Sequence, residues 1–215
     1  MKIIVGASAT LVVILLVIAG VYGWHFGKIS FDQARVGANA FSAGANAVKA
    51  GDFSKATSYF SDASQSFVLA ENTLKNLSFL NQMPWLSQEY ASVESIFSSG
   101  AVLGRTASHL AAFGEELAKP LAENRDSLNE IKPEVRREIL KKLYEAPPVL
   151  AGAKAEINLS LLSLRSMPRG ILSFALRDKL NDVEQKLEFL NQTLDDVAPL
   201  AELLPNLSGY PAPKT

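Results

Sequence analysis

Residues Ile3 to Phe26, reading IIVGASATLVVILLVIAGVYGWHF, contain no Lys, Arg, Asp or Glu, and no other stretch constrains the chain so strongly. A helix rises about 1.5 Å per residue, so about 20 apolar residues cross a hydrocarbon core of roughly 30 Å. A helix also satisfies its own backbone polar groups in that medium. Tyr22 and Trp24 lie at the C-terminal end, where amphipathic rings favour the interface; His25 follows among the headgroups and Lys28 closes the segment. The stretch predicts a membrane anchor over residues 1–28, touching lipid through residues 3–26. The rival is a cleavable signal peptide, with a break after Gly23. Signal peptides carry an apolar region of about 7–15 residues, and the greater length here favours an uncleaved anchor.

Orientation rests on less. Lys2 on one side faces Lys28 and Arg35 on the other, so the positive-inside rule does not choose. A two-residue tail before the apolar stretch and a long domain after it is the arrangement of a signal anchor. The expectation is a single-pass protein of the cytoplasmic membrane whose C-terminal domain is extracytoplasmic. Gly20, Gly23 and Gly27 offer a close approach for a second anchor, although lipid tolerates such glycines without any partner.

All 22 acidic residues lie beyond Lys28, as do all but two of the 21 basic ones, which leaves a formal charge of −3 from Ile29 onward. Nucleic-acid binding needs clustered positive charge, so no nucleic-acid partner is expected. There is no cysteine, which excludes disulfides, thiolate nucleophiles and cysteine-based metal sites. About 187 residues then have to bury an apolar core of their own.

The patterning is helical throughout. In the alanine-rich Ile29–Ala50 segment, Ala34, Ala38, Phe41, Ala45 and Val48 share one face. Gly51 suits a left-handed C-terminal position and Asp52 an N-cap, so a second helix starts at Phe53. There Phe53, Ala56, Phe60, Ala63, Phe67, Ala70, Leu74 and Leu77 alternate spacings of three and four, the register of knobs-into-holes packing. Pro84 breaks the pattern, and Ser87 is a candidate N-cap for a third helix with Leu86 as its staple. Val93, Ile96, Gly100, Leu103, Ala107, Leu110, Gly114 and Leu117 continue the spacing, with Gly100, Ala107 and Gly114 one heptad apart. These small residues predict close approach of the alanine-rich first helix. Pro120 should kink or end the third helix, and Leu121–Lys132 reads as a frayed continuation or loop.

Pro133 opens a short helix, PEVRREILKKLY, with Val135, Ile139 and Leu143 on one face. Pro147-Pro148 stops it, a helix over Val149–Ser166 follows, and Met167-Pro168 stops that. The last register holds Leu176, Leu180, Val183, Leu187, Leu190, Leu194, Val197, Ala201 and Leu204, with a kink expected at Pro199. The Pro-rich tail, LPNLSGYPAPKT, reads as a linker or a cut end. The fold class expected is all-α: one N-terminal transmembrane helix, then an elongated antiparallel bundle with coiled-coil-like heptads and long helices of about 30–45 Å. The domain limits are 1–28 for the anchor, 29–204 for the bundle and 205–215 for the tail.

Chemistry is sparse. His109 has no second His or carboxylate four residues away and reads as a surface histidine. The pairs Glu115-Glu116 and Asp195-Asp196 point about 100° apart on a helix and do not converge. Arg136, Arg137, Lys141 and Lys142 form a basic cluster on the short helix that also carries Glu134 and Glu138. Glu138 has Lys142 within pairing reach, and headgroups or an acidic partner are the alternative use of that cluster. No phosphate loop, nucleophile elbow or zinc signature is present. Of the N-x-S/T sequons at Asn76, Asn158, Asn191 and Asn206, a chain rich in Asn and Ser gives one or two by chance; the slight excess reads as coincidence unless the domain is lumenal in a eukaryote. No catalytic, cofactor-binding or metal residue is assigned, no cofactor is expected, and the chain is read as not an enzyme.

The phrase from Ala50 to Ala56 (AGDFSKA), the break LNQMPWLSQEY, and the later Leu204, Pro205, Leu207 and Gly209 after a leucine-rich helix carry a resemblance. On them the chain resembles the N-terminal, membrane-anchored helical region of the bacterial family known as domain of unknown function 4012. That resemblance implies a helical segment leading into a second, mixed domain, and it transfers no functional residue. Three roles fit: a membrane-anchored stalk or scaffold of the cell envelope, an extracytoplasmic ligand-sensing bundle, or the anchoring part of a cell-envelope enzyme whose catalytic domain lies beyond the C-terminus. Self-association through heptad faces, or a protein partner on them, is the remaining expectation.

Overall fold

The computed structural model describes residues 2–84, 86–122, 132–167, 174–208 and 210, with side chains for 25–84, 86–120, 132–167, 176–208 and 210. Among these there is no strand. Six α-helices follow one another: α1 (Lys2–Lys49), α2 (Phe53–Lys75), α3 (Ser87–Ala122), α4 (Pro133–Glu145), α5 (Pro147–Arg165) and α6 (Phe174–Leu207), with a 3₁₀ turn at Ser78–Gln82. The side chains of the apolar stretch before His25, the residue Trp85, the segment 123–131, the stop at Pro168 and the tail beyond Tyr210 lie outside the described residues. Among those described, no helix is long and apolar enough to cross a membrane.

The first turn follows its sequence. Gly51 takes a positive φ of 75°, a conformation a side chain would strain. Asp52 caps α2 by accepting from the Lys55 amide (3.1 Å) and from its ammonium (2.6 Å), and that pairing lowers the Asp52 carboxyl below the usual aspartate range. At the next boundary, α3 starts at Ser87 itself, whose hydroxyl donates back to Pro84 O (3.4 Å) instead of capping forward. Pro120 neither ends nor breaks α3, which runs to Ala122. Likewise α6 passes through Pro199 and Pro205 to Leu207, so the first residues of the proline-rich tail are helical.

α1, α2 and α3 pack through small residues. Ala56, Phe60, Ala63, Ala70 and Leu74 of α2 are buried, as the heptad requires. The α2 phenylalanines lie over glycines: Phe60 over Gly44, Phe67 between Gly37 and Gly100, and Phe53 over Gly114. The glycines of α3 therefore face α2, not α1 as their spacing suggested; the bulky rings sit on α2 and need the room. Hydroxyls reach across to backbone carbonyls that have a second lone pair to offer: Ser30 to Ala70 O (2.6 Å), Ser64 to Ala101 O (2.9 Å) and Ser108 to Thr57 O (3.0 Å). Partners along α1 and α2 meet in reverse order, Ser30 with Ala70 and Gly44 with Phe60, so these two helices oppose one another.

α5 and α6 pack on the other side of α3 and complete the larger core, which includes Phe97, Leu103, Leu150, Ile157, Leu164, Leu180, Leu187 and Leu194. Charged pairs at their rims match the register: Arg105 with Glu156 (3.1 Å), Lys154 with Asp195, and Arg165 with both Glu184 (2.9 Å) and Glu188. Those two carboxylates, Glu184 first, raise the Arg165 guanidinium further above its ordinary value. The α6 heptad holds through Leu194 and Ala201, but Val197 and Leu204 are exposed while Ala198 packs inward and Pro205 is buried. A straight helix drifts by about 20° per heptad against a strict seven-residue repeat. Four heptads from Leu176 carry that drift far enough to bring in the next residue.

Candidate docking surfaces

The histidines stay apart from each other. His25 stacks edge-on against Phe26 at 5.6 Å. His109 is exposed and lines an open depression of about 360 Å³ with Phe113, Glu116, Lys142 and Glu145. The carboxylates missing from its own helix at i±4 thus arrive from one heptad on and from α4. Lys142 spans this depression to Glu116 at 2.7 Å, not to Glu138 as helical spacing allowed, and the Glu116 carboxylate raises the Lys142 ammonium. Asp195 is engaged by Lys154 across the α5–α6 seam. Among the described residues, no group of three or more His, Cys, Asp or Glu is placed to hold a metal ion.

A more voluminous groove of about 480 Å³ lies between α2, α3 and α5. Ser95, Ser98, Ser99, Ser160 and Ser163 line it, with the Arg105–Glu156 pair among the lining residues. Glu71, which also borders it, is held by Lys75 at 2.8 Å. Nearby Tyr90 is buried, which pushes its phenol up, and it donates to Leu74 O at 3.5 Å. The trough is a hydroxyl-lined seam between helices. Three buried side-chain atoms lack a hydrogen-bond partner among the described residues: Gln88 Oε1 and Thr106 Oγ1 on α3, and Asn191 Oδ1 on α6.

The most distinctive surface is apolar. Leu180, Leu187, Leu194 and Ala201 turn one face of α6 into the core. At about 100° per residue, the opposite face carries Phe189 (73% exposed), Leu200 (53%), Leu203 (53%) and Leu207 (82%). The heptad register reaches this face only at its edge, through Val197 and Leu204, and leaves out its centre, although the fourteen-residue step from Phe189 to Leu203 and the seven-residue step from Leu200 to Leu207 are present in the sequence. At the same end, Tyr144 of α4 meets Tyr210 edge-on at 5.8 Å.

The class these features define, among the described residues, is an all-helical bundle with open interhelical grooves and a bare apolar face on α6. No protein family, no curated protein and no solved structure matches this chain.

Proposed function

We propose that the chain is a non-catalytic, membrane-anchored stalk or scaffold of the bacterial cell envelope, related to the family known as domain of unknown function 4012. Its form is an elongated antiparallel bundle with coiled-coil-like heptads on the extracytoplasmic side of the cytoplasmic membrane. The observation that carries this reading is the continuity of α1. One helix of 48 residues, about 70 Å long, joins the uncharged Ile3–Phe26 stretch to the part packed on α2. A helix that leaves a bilayer and enters a bundle without a break transmits position and orientation, which is what a stalk does. The opposed partners of α1 and α2, and of α5 and α6, support the antiparallel reading.

The test has two parts. The full chain expressed in a bacterial host should stay with membranes through an alkaline carbonate wash, and a variant lacking residues 1–28 should not sediment. Extraction of the full chain by carbonate refutes the anchor. Since the chain has no cysteine, Gln65→Cys is a unique label site on an exposed part of α2. An impermeant maleimide should label it in intact spheroplasts. Labelling only after the cells are permeabilised overturns the extracytoplasmic placement.

A further inference from the structure

We propose that the outward face of the C-terminal half of α6 joins two copies of this chain side by side, each face receiving α4 of the other copy. This rests on the anchored reading above, which holds both copies upright in one membrane. Phe189, Leu200, Leu203 and Leu207, with Leu204 and Val197 at their edge, expose on the order of 500 Å² of apolar surface, in the upper range of the largest patches that monomeric proteins carry and often use.

Charge selects the occupant. From Leu187 to Leu207, α6 carries Glu188, Asp195, Asp196 and Glu202 and no Lys or Arg. Glu188 and Asp195 are engaged by Arg165 and Lys154 of α5. Asp196 and Glu202 have no ion pair among the described residues. A second α6 would therefore bring acid to acid. α4 supplies the complement: Arg136 and Arg137 are exposed and likewise unpaired, both about two turns ahead of the exposed Tyr144. Its other cations, Lys141 and Lys142, already pair with Glu145 and Glu116.

α4 and the end of α6 are neighbours in one copy, so a two-fold pairing makes the same α4–α6 contact twice, as an isologous interface requires. Two such contacts approach the roughly 800 Å² per partner of a standard interface. Confinement to one membrane raises the effective concentration and removes part of the association cost. The exposed pair Leu159 and Leu162 on α5 lies on a different helix and serves as the control surface.

The test uses the full chain in its membranes, with two differently tagged copies carrying Leu203→Cys and Tyr144→Cys. A short bismaleimide should link the two tags into a product of twice the chain mass. Leu159→Cys in place of Leu203→Cys should give at least tenfold less. Arg136→Glu with Arg137→Glu on the Tyr144→Cys copy should cut the product about tenfold, and Asp196→Lys with Glu202→Lys on the other copy should restore it. Equal product at Leu159, failure of the charge swap to rescue, or linkage of Leu203→Cys to a different protein would each overturn the pairing. If these occur while the chain still sediments with membranes, the pairing alone is wrong; if the chain is soluble, the anchored reading has failed first.

Discussion

Gly104 is the position at which the packing of α2 on α3 can be tested with a single methyl group. A Cβ built there would lie 2.7 Å from the Ser64 backbone nitrogen and 3.0 Å from Phe60 O, atoms that cannot swing aside as a side chain does. Relief requires the two helices to part. That motion is resisted on both sides by the hydrogen bonds from Ser64 to Ala101 O and from Ser108 to Thr57 O. Replacing a helical glycine by alanine ordinarily gains about 1 kcal/mol. Overpacking costs about 1–3 kcal/mol, and each strained hydrogen bond about 1 kcal/mol. The balance for Gly104→Ala is a net loss of about 2 kcal/mol. Gly152, inside α5, would meet nothing within 4 Å, so Gly152→Ala should keep the propensity gain of about 0.5–1 kcal/mol. For a domain of this size 1 kcal/mol moves Tm by about 2–4 °C. Thermal unfolding of the purified chain, followed by circular dichroism, should show Gly104→Ala about 5 °C lower and Gly152→Ala about 2 °C higher. A Gly104→Ala protein as stable as the parent would refute the close approach of α2 and α3.

The other expectations concern charge and register. Asp52 has a lowered carboxyl in the folded chain, so its contribution to stability is present above the ordinary aspartate pKa and is lost as pH falls through the lowered folded value. Asp52→Asn keeps a capping side chain and should flatten the acid limb of a stability–pH curve; an unchanged slope would show that the cap does not titrate. Lys154 and Asp195 are both about half exposed, so Lys154→Ala should cost less than about 1 kcal/mol by denaturant titration, and a larger loss would mean that the seam depends on this pair. In α6, Leu194→Asp should unfold the bundle by placing a charge in the core, whereas Val197→Asp should cost under about 1 kcal/mol, although both belong to the same sequence heptad. Equal damage at the two sites would refute the drift of the buried face.

How much of this was legible in the sequence differs from helix to helix. In α2 the contrast between phenylalanines and polar residues is large, so one face could be read, and that face is buried. The Gly51–Asp52 turn was equally plain, because two residues with special backbone and capping chemistry stand together. α3 is different: Ser92, Ser99, Gly104, Thr106 and Ser108 are buried beside Ile96, Phe97 and Leu103. It touches α2 on one side and α5 and α6 on the other. A helix enclosed in this way buries small polar residues too, and no amphipathic stripe announces it. The partners of Glu116, Arg105 and Asp195 lie on other helices, and spacing along one helix cannot foresee them. The bare face of α6 was present as spacing but masked by the stronger register on its opposite side.

The contacts also fix where that bare face sits relative to the start of the described side chains on α1. Gly44 lies under Phe60, whose backbone adjoins Gly104; next to Gly104, Arg105 pairs with Glu156, and two residues earlier Lys154 holds Asp195. Asp195 therefore stands near the level of Gly44 on α1. α5 opposes α6, because Lys154 meets Asp195 while Arg165 meets Glu184. The step from Glu184 to Asp195 thus leads from the Arg165 end of the bundle, where α5 finishes, toward the Gly51 turn, and Leu200, Leu203 and Leu207 lie further in that direction. From Phe26 to Gly44 is about 27 Å of helix, and the last turns of α6 add about 15 Å. If the apolar stretch is in the membrane, the leucines are carried about 40 Å from its surface. No lipid contact accounts for their exposure at that height, and an apolar face held there by a continuous helix is placed to meet protein.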